Sequence, residues 1–311
     1  MMASPMEIPK PNFIAAGAPA HPILRVATWF TALSITVVLI YLTARLFAGS
    51  EPRVAFHTIG ETLKGSAFWI ALAIGMAAQA VDGALGMGYG VTASTFLLGT
   101  GASPAVASAS THIAKLFTTG VSGIAHAKYG NVDRKLFVRL LVPGMAGGML
   151  GVMLVTQIDG RVLKPFVSAY LLLIGLYILA KAYRQVRLRN GEPRHAAKLG
   201  LFGGFVDAIG GGGWGPVVTS SLVGGGSDPR MTIGSVNFAE FFMTLATAAS
   251  FTFLAVEGTW PVVAGLVIGG LIAAPFAARL CRKISPRRLF VAVGVLITLL
   301  SAWNVYKALL A

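Results

Sequence analysis

A single cysteine, Cys281, stands in 311 residues, so no internal disulfide can form and a fold stapled by bridges is excluded. Charge is equally scarce. Only 12% of residues are charged, about half the share of a soluble domain, and acidic residues are the rarer sign, 11 against 25 Lys and Arg. No glycine run continues into the Lys-Ser/Thr pair of a nucleotide-binding loop, and no nucleophile-elbow pattern surrounds a serine. These absences exclude a soluble enzyme, a disordered scaffold and a primary ATP-driven pump built from this chain alone. What is present in quantity is apolar: 55% hydrophobic residues, 38 glycines and a mean hydropathy of +0.75. Several uncharged stretches approach twenty residues or more, the length that crosses a hydrocarbon core about 30 Å thick. The chain reads as an all-α polytopic membrane protein.

The net charge of +14 would suit a nucleic-acid binder in a soluble protein. Here the basic residues fall in loops, and the aromatic residues lie inside the apolar spans, so no base-stacking platform exists and nucleic acid is excluded as a partner. Anionic lipid headgroups are a sufficient partner for this charge. Residues 1 to 22 carry five prolines and read as a mobile tail. Crossings are predicted at about 24–48, 105–127, 135–156, 163–182, 231–255, 260–279 and 288–308. The first is too long for the apolar core of a cleavable signal and is read as a retained helix. Fifteen of the 25 basic residues cluster in three loops, 128–139, 181–198 and 279–288, which the positive-inside rule puts in the cytoplasm. The loop around Glu257 to Trp260 has none and is placed outside. Two glycine-rich regions, 67–99 and 199–225, must then enter and leave on one side each, as re-entrant hairpins, the second with arms of about 11 residues.

Sliding the chain by 125 residues aligns 81–120 with 206–245 without a gap and gives 13 identities in 40 positions. Asp82/Asp207 and Pro104/Pro229 are among them, rare types for a membrane segment, and they argue for a duplication. Each copy holds one re-entrant glycine-broken hairpin plus three transmembrane helices, and the odd number of crossings inverts the second. The expected organisation is an N-terminal tail and extra transmembrane helix (1–65), a first repeat (66–183), a basic cytoplasmic linker (184–198) and an inverted second repeat (199–311). Inverted repeats with broken helices meeting at midplane are a secondary-transporter architecture.

The glycine turns read GALGMGYG at 83–90 and GGGGWGP at 210–216. Irregular backbone at membrane depth survives only where protein or a water-filled cavity satisfies it. Successive N–H groups and nearby helix N-termini make such a turn an anion cradle. Gly86, Met87, Gly88, Tyr89 and Gly90 of the first turn, and Gly211, Gly212, Gly213, Trp214 and Gly215 of the second, are therefore candidate substrate ligands. Glycine pairs 144/148, 147/151 and 265/269 read instead as packing notches. In the following spans Lys115 and Glu240 are repeat mates near mid-depth, where a charge costs about 2.5–3.5 kcal/mol and must face a partner, cavity or ligand. Ser110, His112, Ser235 and Asn237 accompany them. Glu240, Asp82, Asp207 and His112 are candidates for proton coupling, although the two aspartates also suit capping of free backbone N–H groups.

The doubled glycine turns, Pro104/Pro229, and the stretches SASTHIAKLFTTGVSGIAH (108–126) and GSVNFAEFFMTLATAASF (234–251) resemble the TauE/SafE family of sulfite and organosulfonate transporters, over about residues 65–308. The resemblance implies secondary transport of a small inorganic or organic sulfur anion across the cytoplasmic membrane, with H+ or Na+ as coupling ion and no cofactor or metal. A homodimer is left open. The chain departs from the family in carrying Met87, Tyr89 and Trp214 within its turns, and in the added residues 1–64. Competing readings are an anion channel, a membrane scaffold and, more remotely, an intramembrane hydrolase using Ser94 with His112 or His126.

Overall fold

The computed structural model describes residues 21–47, 52–85, 87–183, 195–254, 260–283 and 286–310. The proline-rich tail, most of the basic linker, the loop at 255–259 and Gly86 lie outside the described residues. Among the described residues every regular element is helical. They are α1 (Pro22–Phe47), α2 (Pro52–Lys64), α3 (Ser66–Leu85), α4 (Tyr89–Gly99), α5 (Pro104–Lys128), α6 (Arg134–Gln157), α7 (Gly160–Lys181), α8 (Ala196–Gly210), a single π-helical turn (Gly215–Thr219) running into α9 (Ser220–Gly224), α10 (Pro229–Phe253), α11 (Trp260–Lys283) and α12 (Pro286–Leu310).

The seven long spans read from the sequence are seven of these helices, with ends within a few residues. Two details differ. The short helix α2 was not expected, because its 13 residues mix charge with apolar groups and carry no crossing signal. It is exposed along one side, and Lys64, bonded to Glu61 at 3.0 Å, holds that carboxyl below its usual range. The first arm of the second hairpin, α8, has 15 residues rather than about 11, since the helix starts just after His195.

Among the described residues four helices, at Pro22–Tyr41, Arg134–Gln157, Gly160–Lys181 and Val291–Leu310, are long and apolar enough to cross a membrane, and Ser66–Asp82 and Trp260–Ala273 are shorter apolar segments. The chain is a polytopic helical membrane protein. The other two long helices, α5 and α10, have 25 residues each, about 37 Å, but their inner faces carry buried Ser, Thr, His, Lys and Glu, which lowers their hydropathy.

Sequence mates share local geometry. Ser103 and Asp228 cap α5 and α10, accepting from Val106 N at 3.3 Å and Met231 N at 2.8 Å, and Pro104 and Pro229 follow where a missing N–H is harmless. Gly101 and Gly226 end the preceding arms with φ of 103° and 98°, a left-handed conformation that a side chain would strain.

Packing crosses between the halves. α3 lies along α11, α8 along α6, α5 against α10 and α7 against α12. Small residues make the contacts close, as membrane helix pairing requires. A methyl on Gly151 would collide with the Phe205 carbonyl of α8, with Ala208 Cβ only 2.8 Å away, and one on Gly265 would stand 2.8 Å from Ala71 Cβ. The packing notches expected at 144/148, 147/151 and 265/269 are all used: Gly144 receives the Trp214 ring, Gly148 faces Thr247, Gly147 faces Leu201, and Gly269 faces Leu72. α1 packs on the outside of α5, with Phe30 stacked on Phe242 of α10 at 5.7 Å. Its residues Val26, Trp29, Leu33, Val37 and Ile40 recur at helical spacing and are exposed, as a lipid-facing stripe would be.

Candidate substrate site between two glycine turns

The two hairpins meet turn to turn. A methyl on Gly90 would lie 2.8 Å from Gly212 Cα and against the Gly211 carbonyl oxygen, and one on Gly212 would overlap Val91 backbone. Only paired glycines allow backbones this close. Gly88 (φ 118°) and Gly211 (φ 67°) reverse the chain, so that α4 and the π-helical turn start beside one another.

Each turn is closed by its own aspartate. Asp82 Oδ1 accepts from Tyr89 N at 3.2 Å, and Asp207 Oδ1 accepts from Trp214 N at 2.8 Å, in both cases seven residues downstream. Two of the N–H groups expected to face a bound anion are thus engaged by internal carboxylates. The turn aromatics are both anchored by backbone carbonyls: Tyr89 Oη donates across to Leu266 O of the other half at 3.2 Å, whereas Trp214 Nε1 donates to Val236 O of its own half at 3.1 Å.

Beyond this shared pattern the halves diverge, because Lys115 has an acid as its mate and His112 an amide. Lys115 Nζ lies 2.7 Å from Glu240 Oε1 and 3.0 and 3.2 Å from the two oxygens of Asp207. His112 Nε2 lies 3.0 Å from Asp207 Oδ2, while its Nδ1 is 2.8 Å from Ser108 O. Ser108 Oγ also lies 3.3 Å from Nδ1, so the ring is enclosed by Asp207 on one side and Ser108 on the other. All five side chains of this network, on α3, α5, α8 and α10, are buried or half-buried. A buried ion pair is weak evidence of net stabilisation, but removing one partner strands a charge at depth.

A cavity of about 10 Å³ sits at the junction, room for about one water. Among the expected ligands it is lined by Gly88, Tyr89, Gly90, Lys115, Gly212, Gly213 and Gly215, with Asp82, Asp207 and Glu240. His112 stands one layer behind, through Asp207. Met87, Gly211 and Trp214 support the turns without lining this cavity, and Ser110 is buried with its hydroxyl unbonded. Ser235 and Asn237 are elsewhere: Ser235 accepts from Asp133 N at 2.7 Å, and Asn237 reaches Ser122 at 3.4 Å. Helix α10 places them one face away from Glu240, toward the α5–α6 connection and α5. Thr119, Val91 and Pro216 line the cavity as well, and Tyr170 of α7 donates to Gly212 O at 3.2 Å. Thr119 was legible as an identity with Thr244, but nothing in the sequence ties Tyr170 to a turn 42 residues away. Of the hydrolase residues, Ser94 bonds Thr111 at 3.2 Å, and His112 is turned to Ser108 and Asp207. Among the described residues no group of His, Cys, Asp and Glu is placed to hold a metal ion.

Comparison with known proteins agrees with this architecture. A family model described as "Sulfite exporter TauE/SafE" matches residues 71–303. A curated relative, "Probable membrane transporter protein YtnM" of Bacillus subtilis (strain 168), is 42% identical over 238 residues, 74% of this chain and 79% of the relative. No solved structure matches. A match running from the first glycine hairpin to the last helix, with a relative this similar over most of both chains, means that the chain belongs to the TauE/SafE family of membrane transporters.

Proposed function

We propose that the protein is a secondary transporter that carries a small sulfur-containing anion, sulfite or an organosulfonate, across the cytoplasmic membrane by alternating access. The observation that carries this reading is the meeting of two glycine turns around Lys115, since broken helices joined at one cation suit an anion site better than a packing role. The exchanged packing of α3 on α11 and α8 on α6 suits two inverted repeats, each a hairpin plus three crossings, that rock against each other. In this reading the repeats are 66–183 and 199–311, joined by the linker at 184–198, with 1–65 as an added helix. A cavity with room for about one water suits a closed state of a carrier more than an open pore.

The charge around the cavity bears on coupling. Asp82, Asp207 and Glu240 face a single ammonium, so an incoming anion meets more negative than positive charge. Proton uptake on this carboxylate set, with Glu240 as the exchanging group, would relieve that excess and couple anion to H+. The test is flux in proteoliposomes. Saturable sulfite or sulfonate uptake with counterflow, driven by an inward proton gradient, is expected. Non-saturating flux without counterflow would favour a channel, and the absence of binding to sulfite, sulfate, thiosulfate, sulfonates and carboxylates would end the anion reading.

A further inference from the structure

We propose that the seam between α4, α7 and α12 is the route by which the anion reaches the cavity from the face away from the basic loops, lined by hydroxyl donors and closed in this structure; this rests on the anion-transport reading above. A Ser or Thr buried in a helix has a ready partner in the carbonyl one turn earlier. Thr28, Thr31, Thr156, Thr247, Ser250 and Thr252 use it, at 2.7–3.0 Å. Thr92 and Thr95 of α4, Ser168 of α7, and Thr298 and Ser301 of α12 do not, and their buried hydroxyl oxygens have no hydrogen-bond partner in the protein. They are five of the nine such side-chain oxygens among the described residues, and Thr92, Thr95, Ser168 and Ser301 are at most 1% exposed.

These hydroxyls share one seam. α12 is fixed to α4 by Asn304, whose Nδ2 donates to Thr95 O at 2.9 Å, and a methyl on Gly99 would lie 3.4 Å from Asn304 Oδ1. Thr92 stands one turn before Thr95 on that stripe of α4, and Ser301 one turn before Asn304 on α12. α7 runs antiparallel along α12: a methyl on Gly175 would lie 2.8 Å from Thr298 N and Oγ1, and one on Gly294 2.8 Å from Leu179 N. Ser168, two turns before Gly175, lies on the same stripe of α7, which this register brings beside the Asn304 turn.

The seam leads outward from the cavity. Val91 lines the cavity and Thr92 follows it; α4 then runs to Gly99, about 10 Å further, where Thr100 and Gly101 are exposed. α12 starts at the basic stretch 279–288 and carries Asn304 near its other end, so the seam faces away from that charge. A hydroxyl donates to a sulfur oxyanion without adding charge, so a row of them can hand the anion on to Lys115 without trapping it. The hairpin arm does not need them. Val217 stands in the second copy where Thr92 stands in the first, so an apolar residue suits this position. Buried hydroxyls without partners cost stability, and parting of α12 from α4 gives them water or the anion as partners.

The experiment pairs melting temperature with radiolabelled sulfite uptake and counterflow in proteoliposomes, for Thr92→Val, Ser301→Ala and the double variant. Removing an unpartnered hydroxyl should leave the melting temperature unchanged or higher, while kcat/KM for sulfite falls about threefold in each single variant and about tenfold in the double. In a Cys281→Ala background, Thr95→Cys and Ser301→Cys should react, with sulfite absent, with a negatively charged methanethiosulfonate added at the face away from the basic loops. Ala93→Cys, on another stripe of α4 and just as buried, should not. Unaltered uptake in the double variant, a fall in melting temperature that accounts for the lost uptake, or Thr95→Cys and Ser301→Cys as unreactive as Ala93→Cys would each overturn the route. Any of these in a protein whose wild type carries sulfite leaves the transport reading standing, whereas a wild type that binds and carries no sulfur oxyanion overturns both.

Discussion

Lys115 holds two carboxylates at once, at 2.7 Å and 3.0 Å, and its loss would leave Glu240 buried without its cation and Asp207 with only His112 and the Trp214 N–H. Lys115→Met should therefore lower stability by about 3–5 kcal/mol, seen as a fall in melting temperature of the purified protein in detergent, and should weaken anion binding. Glu240→Gln removes one carboxylate and leaves Lys115 bound to Asp207, so it should be milder. If Glu240 exchanges the coupling proton, Glu240→Gln retains anion affinity while uptake no longer follows the proton gradient. The Lys115→Met/Glu240→Gln double variant separates the roles: recovery of stability with normal affinity and normal pH dependence would make the pair purely structural. For the wild type, binding of an organosulfonate, whose own charge is constant, should strengthen as pH falls if protons enter with it. Affinity that is flat with pH would argue against uptake on these carboxylates.

The glycine hairpins work as elements because each turn leans on backbone from the other. Gly212→Ala would drive a methyl into the backbone at Val91, which cannot move without shifting α4, and should abolish anion binding or folding. Gly213→Ala meets a side chain instead, the Tyr170 hydroxyl, with the ring carbon behind it at 3.3 Å. That substitution should cost the Tyr170–Gly212 hydrogen bond, about 1 kcal/mol, and adding Tyr170→Phe should recover part of the loss by removing the clashing oxygen. Melting curves with and without sulfite measure both effects. A Gly213→Ala variant harmed equally with and without the added Tyr170→Phe change would mean that the collision is not with this hydroxyl.

For the whole molecule, the arrangement predicts two faces of opposite access. In a Cys281→Ala background, single cysteines introduced near Arg187 and Arg287 should react with an impermeant maleimide only from the cytoplasm, and one near Gly258 only from outside. Equal labelling of all three would remove the seven-crossing, inverted topology. Because the carrier reading needs the halves to move, a crosslink that fastens α3 to α11 should leave binding intact and stop turnover, whereas a pore would go on conducting.

The long helices and the glycine-broken hairpins were legible in the sequence because each rests on short-range chemistry: apolar length, and glycines gathered in two short runs. Helix α2 and the full length of α8 were not, since neither carries a crossing signal. The candidate site was half legible. Sequence singled out Lys115, Glu240 and both aspartates by their rarity and repeat position, yet could not say that Asp207, rather than Asp82, would join Lys115 and His112. Nor could it show that Ser235 and Asn237, mates of Ser110 and His112, turn toward Asp133 and Ser122, or that Tyr170 and Lys181 reach the turns from α7. Those choices depend on how helices far apart in the chain are rotated against each other. Rotation is set by where glycines let backbones touch, a property of the assembled bundle and of no segment alone.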